Sequence, residues 1–209
     1  MTWLRQAAAR LAPAGLFALV AAAAPAAASD ATVAAELMQP GPLPDIVEGA
    51  AGAPATIVEY ASMTCSHCAA FHEQVWPALK AKYVDTGKAK FILREFPLDP
   101  LAIAAFMAAR CAGPDKRDAL IDRLFANQQD WAFHDEPLER LRRAAGLSPA
   151  DFLACVKDKA LFDGINAERD SAAERFGLDS TPTFFVDGHK LDGEPTLPAF
   201  DAALAAAPK

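Results

Sequence analysis

Cysteine is scarce in this chain: four residues among 209, at positions 65, 68, 111 and 155. That is too few for a small scaffold held together by disulfides. A hydrophobic core has to carry the fold, and Leu, Val, Ile and Phe are there to build one. Positive charge is also short, with 20 Lys and Arg against 27 Asp and Glu and a formal charge of −7. With no basic cluster either, the balance argues against a nucleic-acid or anionic-membrane partner. No strongly apolar run reaches the about 20 residues of a membrane span. The nearest, Leu11 to Ala24, is Ala-rich, and Pro13 and Pro25 interrupt it. No cysteine precedes Cys65, which argues against a lipid-anchored N-terminus. Arg5 and Arg10 are not adjacent, so a twin-arginine signal is unsupported.

What the N-terminal stretch does carry is the order of a cleavable secretory signal. Arg5 and Arg10 come first, the apolar stretch follows, and Ala26-Ala27-Ala28 precedes Ser29-Asp30. The expectation is an exported protein, in a compartment that permits disulfides.

The densest chemistry is Cys65-Ser66-His67-Cys68. A buried-strand pattern, Thr56 to Ala61, leads into it, with Ile57, Glu59 and Ala61 on one face and Val58 and Tyr60 on the other. Behind it, Phe71, Val75, Leu79 and Tyr83 recur at helical spacing, with Pro77 expected to kink the helix. Cys65 is therefore predicted at a helix N-terminus, where unpaired N–H groups and the macrodipole favour a thiolate, the reactive form. Cys68, one turn on, is placed to close a disulfide with Cys65 and to release whatever Cys65 has bonded. Ser66 and His67 can both donate hydrogen bonds toward the Cys65 sulfur, and a protonated His67 adds positive charge. Each effect favours thiolate and makes the disulfide a stronger oxidant. A zinc site would need two more ligands at a compatible spacing. His67 lies between the cysteines, His72 is the other nearby candidate, and there is no second Cys-x-x-Cys. Neither a metal nor a cofactor is expected.

Downstream, Lys90 to Phe96 reads as a second strand and Asp99 to Phe176 as a run of helices. Cys111 and Cys155 both fall in that run. A bridge between them would close a loop worth about 4 kcal/mol in the chain-entropy model; two inert buried thiols are the alternative. After Gly177, Thr183 to Val186 and His189 to Leu191 read as a hairpin turning at Asp187-Gly188, followed by a terminal helix. Thr181-Pro182, just before that hairpin, is a candidate cis peptide beside the cysteines, leaving the Thr181 backbone to pair with an incoming peptide. Glu59, six residues before Cys65, either reaches solvent at the strand end or is buried, with a raised pKa and a role in proton relay. His72 and His134 are read as surface or structural residues, and Trp76 and Trp131 as core.

With the helical block removed, the remainder is β-α-β then β-β-α, the thioredoxin arrangement. Three stretches carry a more specific likeness: Val58 to Cys68, Phe91 to Pro100, and Ser180 to Gly188. On these, from about Asp45 onward, the chain resembles thiol:disulfide interchange proteins of the DsbA family. The resemblance implies an α/β thioredoxin fold with an inserted all-helical domain, a periplasmic location, and donation of disulfides to newly exported proteins with free thiols. It implies Cys65 as nucleophile, Cys68 as resolving cysteine, His67 as thiolate stabiliser, Pro182 as the cis-proline and Glu59 as the buried acid. A quinone-linked membrane partner of the DsbB type would reoxidise the pair. Ser66 departs from the best-known members, which have proline there. Cys111 and Cys155 are similar to the pair of a subgroup with a structural disulfide. The expected organisation is a signal peptide at 1–28, a lead-in at 29–53, thioredoxin segments at 54–98 and 177–209, and the helical insert at 99–176. Two other classes stay open: the same pair acting as a reductase or isomerase, and a non-enzymatic module that binds metal or peptide.

Overall fold

The computed structural model describes residues 30–206. The expected signal peptide, 1–28, lies outside the described residues. The chain runs α1 (Asp30–Leu37), β1 (Ile46–Glu48), β2 (Ala55–Ala61), α2 (Ser66–Gln74), α3 (Trp76–Leu79), a π turn (Lys80–Val84) and β3 (Ala89–Glu95). Six helices follow: α4 (Pro100–Cys111), α5 (Pro114–Ala126), α6 (Gln128–Ala132), α7 (Pro137–Ala145), α8 (Pro149–Val156) and α9 (Lys159–Phe176). Then β4 (Thr183–Val186), β5 (His189–Lys190) and α10 (Leu197–Ala206) complete the described chain.

The strands form one sheet in the order β1-β3-β2-β4-β5. Only β2 and β3 pair in parallel. Parallel neighbours need a crossover, and α2, α3 and the π turn supply it. The crossover breaks after Gln74, with Pro77 in the first turn of α3. Proline has no N–H to give to the preceding turn, so the helix cannot run through. At the other edge, Asp187 and Gly188 both take positive φ, 48° and 84°, as a tight hairpin turn requires. The Asp187 N–H donates to Thr56 O at 2.8 Å, and Asp187 Oδ1 accepts from the Thr56 N–H at 2.7 Å. The turn is thus tied to the start of β2.

Alternation along β2 divides the interior. Ile57 and Ala61 join the larger core, which runs without a break through α2, the helices between β3 and β4, and α10. Val58 and Tyr60 face a smaller core with Leu37, Ala172, Leu178 and Phe185. Caps punctuate the helices: Asp99, Ser148 and Asp158 accept from the third residue on, and Gly177 ends α9 in the left-handed region. The helix α6 was not expected, because five residues are too short to show a helical period. Cys111 and Cys155 are bonded, joining the end of α4 to α8.

One charged cluster holds the segment before β1 against the sheet. Arg94 on β3 is buried, and its guanidinium donates to Asp45 Oδ1 and Oδ2, Leu37 O, Gln39 O and Tyr60 OH. Glu168 on α9 is buried next to it. Burial pushes the Glu168 carboxyl up to about 7, Arg94 opposes, and the charges of Glu95 and Asp45 add to the rise. A carboxyl that binds its proton more tightly when folded costs stability as pH rises from its ordinary 4.5 through 7. Glu168→Gln is therefore expected to stabilise the protein by up to about 3 kcal/mol at pH 8. Below pH 4.5 the difference should vanish, because both side chains are then neutral. Urea denaturation at the two pH values measures it.

Candidate active site

The site is built where β2 hands over to α2. Ser62, Met63 and Thr64 form the connection, and the helices beyond β3 fasten it. Thr64 Oγ1 donates to Asp99 Oδ2 at 2.5 Å, and the Leu98 N–H donates to Ser62 Oγ at 3.2 Å. Gln128, at the start of α6, donates from Nε2 to Met63 O at 2.9 Å and to Cys65 O at 3.0 Å. Gln128 is buried, so Gln128→Ala removes both donors where water cannot replace them. The expected loss is about 1–3 kcal/mol, read by urea denaturation.

Cys65 is the N-cap of α2, in extended conformation. It is 9% exposed, whereas Cys68 is fully buried; both are free thiols. The Cys65 thiol donates to Thr181 O at 3.2 Å, and the Thr181-Pro182 peptide is cis. Cys65 is acidic, lowered to about 5. The largest cause is a hydrogen bond from the Cys68 thiol; burial opposes it, and the Thr181 side chain and the N–H groups of Cys68 and His67 add to the lowering. Those two N–H groups are the ones an N-cap side chain faces. With its proton on, the sulfur makes no cap hydrogen bond. Deprotonated, it becomes an acceptor for them. Cys68 is shifted the opposite way, well above its ordinary value, by burial first, then by its hydrogen bond to Cys65 and the charge of Glu59.

His67 reaches the sulfur with a backbone atom. Its side chain is exposed, and it influences the sulfur through the backbone N–H. Ser66 is exposed too. In the first turn of a helix the N–H groups point back at the cap while the side chains radiate outward. Glu59 is fully buried on the face of β2 that meets α2. Its Oε2 lies 2.8 Å from His72 Nε2. Burial alone would lower the His72 pKa; the charge of Glu59 and the nearby Asp122 carboxylate overcome it and raise the ring to about 9.

Sequence reading missed His72 and Gln128. A signal for His72 was present: it follows Cys68 by four residues, so it lies on the same helix face as a buried thiol. Gln128 carried none, since its role depends on a neighbour more than 60 residues away. Beside Cys65, a cleft of about 340 Å³ is lined by His67, Phe71, Gln74, Thr181, Pro182 and Glu194, among others. Among the described residues no cluster of His, Cys, Asp and Glu could hold a metal ion.

Comparison with known proteins places this geometry. The thioredoxin family profile matches residues 43–206. A solved structure, alpha-DsbA1 of Wolbachia pipientis, superposes with a TM-score of 0.72 at 32% identity, over 81% of this chain and 93% of that one. BdbD of Bacillus subtilis superposes with a TM-score of 0.69 at 18% identity, over 77% of this chain and 91% of that one, a likeness of fold alone. A Rickettsia typhi protein, provisionally named a protein-disulfide oxidoreductase, is 33% identical over 148 residues, 69% of this chain. This chain spans 55% of that relative's length. On the family profile and the near-complete match to alpha-DsbA1, the chain belongs to the DsbA family of thioredoxin-like proteins.

Proposed function

We propose that this protein is a thiol:disulfide oxidoreductase that introduces disulfides into substrate proteins through Cys65 and Cys68. The observation that carries the reading is the opposite acidity of two thiols one helical turn apart, with Cys65 lowered to about 5 and Cys68 raised. A substrate thiolate attacks Cys65 Sγ of the oxidised pair, the Cys65–Cys68 bond breaks, and Cys68 leaves and takes up a proton. A second substrate thiolate then attacks the substrate sulfur of the mixed disulfide, and Cys65 leaves as thiolate. Two electrons pass from the substrate dithiol to the enzyme disulfide. An acidic Cys65 is a good leaving group in the last step, and stabilising it favours the reduced enzyme, so the disulfide is a strong oxidant.

In this reading Glu59 exchanges the Cys68 proton, and the Thr181 backbone and Pro182 border the substrate. The cleft beside them takes an extended peptide segment that carries the thiol. His67 acts through its N–H. Residues 54–98 and 177–209 make up the thioredoxin part, with 99–176 as the helical insert stapled by Cys111–Cys155. Export to the periplasm, folding exported proteins as substrates, and a DsbB-type reoxidase complete the proposal, on the strength of the family.

The deciding experiment is a redox titration of the purified protein against glutathione, with thiols counted after denaturation. A couple well above that of glutathione, with two reactive thiols in the reduced form, is the expected result. A potential near about −270 mV, that of thioredoxin, would instead mark a reductase.

A further inference from the structure

Under the proposed function, Cys68 has to lose a proton each time the pair closes, yet it is fully buried. His72 lies one turn below it on α2, between two carboxylates. Its Nε2 is 2.8 Å from Glu59 Oε2, and its Nδ1 is 3.7 Å from Asp122 Oδ1 on α5. The exposure changes abruptly along this line. The side chains of Glu59 and His72 are 0% and 4% exposed, and that of Asp122 is 45% exposed. Rings close the other directions: Phe125 stacks on the imidazole at 4.2 Å, while Phe71 and Trp76 stand at 5.4 and 6.1 Å.

Two polar atoms on this line are buried with no hydrogen-bond partner: Glu59 Oε1 and His72 Nδ1. The first is the carboxylate oxygen that His72 leaves free, and the second faces Asp122. The charged groups around the ring are Glu59 from β2 and Asp122 from α5, and the Glu59 charge also acts on the Cys68 thiol of α2. Beyond Asp122, Lys80 of the π turn pairs with Glu48 of β1 and Asp85, and both Lys80 and Glu48 feel the Asp122 charge.

We propose that His72 is a positioning residue for disulfide exchange, passing out to solvent at Asp122 the proton that Glu59 takes from Cys68. The proposal rests on the dithiol chemistry above and deepens it. The protons balance. At the start Cys68 holds one proton, the imidazolium two and Glu59 none. Cys68 gives its proton to Glu59, which cancels the charge that held the second proton on His72. The ring, now a buried cation facing a neutral acid, sheds that proton from Nδ1 toward Asp122 and water. The Cys68 thiolate attacks Cys65 Sγ in the mixed disulfide, and the partner sulfur leaves with its electron pair. Glu59 and His72 then hold two protons between them, as they did at the start, and one proton has reached solvent.

The test follows the resolving step. Reduced protein is mixed with excess oxidised glutathione between pH 5 and 8 and quenched in acid, and the Cys65–glutathione adduct is counted by mass spectrometry. Adduct formation reports Cys65, and adduct decay reports deprotonation of Cys68. Asp122→Asn is expected to lengthen the adduct lifetime a few-fold, and His72→Gln about tenfold or more. The slowing should be greatest at pH 5, adduct formation should not change, and added imidazole should shorten the lifetime in His72→Gln. An unchanged lifetime in Asp122→Asn overturns the exit whatever His72→Gln does, and Asp122 is half-exposed, so that variant should fold. Equal slowing at every pH, without imidazole rescue, also overturns the proposal, because it marks a packing defect. Failure of the parent protein to form the adduct would count instead against the reading of Cys65.

Discussion

Cys65→Ala is expected to lose dithiol oxidation entirely, and Cys68→Ala to stall as a long-lived mixed disulfide with its substrate. The difference follows from where the two sulfurs sit. Cys65 is the only one of the pair that solvent reaches, and it lies beside Thr181 and the cleft. Without it, no substrate sulfur has an atom to attack. Cys68 is sealed behind the first turn of α2, so substrate meets it only through Cys65. Without Cys68, Cys65 can still bond a substrate thiol, but nothing within the protein displaces it. Oxidation of a model dithiol peptide, with adducts counted by mass spectrometry under non-reducing conditions, separates the two outcomes. The fold should survive in both variants, because neither alanine leaves an unpaired charge; a midpoint within about 1 kcal/mol of the parent is expected. Residual turnover in Cys65→Ala would sink the assignment.

The largest stability loss is expected at a residue remote from the sulfurs. Arg94→Met should cost about 3–5 kcal/mol, because it removes one partner of a buried ion pair and leaves the other uncompensated. The Arg94 guanidinium reaches both oxygens of Asp45, two backbone carbonyls and the Tyr60 hydroxyl. Leu37, Gln39 and Asp45 all belong to the segment leading into β1, so the loss should release that segment first. Urea denaturation and amide exchange over residues 37–45 would show it. Arg94 pairs in register with Tyr60, on the sheet face opposite Glu59. The reduction potential per folded molecule should therefore stay where it was. A double-mutant cycle with Asp45→Asn then isolates the ion pair: non-additive costs are expected, and additive ones would mean that the carbonyl contacts carry the effect.

Much of the fold was legible from local chemistry. The alternation of Thr56 to Ala61 sorted the two faces of β2, the stretch from Asp99 to Phe176 read as helical, and Asp187-Gly188 announced a hairpin. Each depends on the backbone and side chains of adjacent residues. Pro77 was legible as a break for the same reason. Reading failed at α6, too short to carry a period, and did not single out the backbone N–H by which His67 acts on the sulfur. It also left open whether Cys111 and Cys155 are bridged, because bonding requires the end of α4 to meet α8 in space.

From its order of residues alone, this protein is determined to place a cysteine at the head of a helix, a second one a turn later, and an acid on the strand before them. Spacing settles that much, since neighbours along a helix or strand are set by its pitch. Tertiary structure decided how readily each of the two thiols holds a proton. Asp122 stands 50 residues from His72, Thr181 stands 116 from Cys65 and Gln128 stands 63 from it, and all three act at the site. Charge and desolvation act through distance in space, and that distance exists only once the chain has folded.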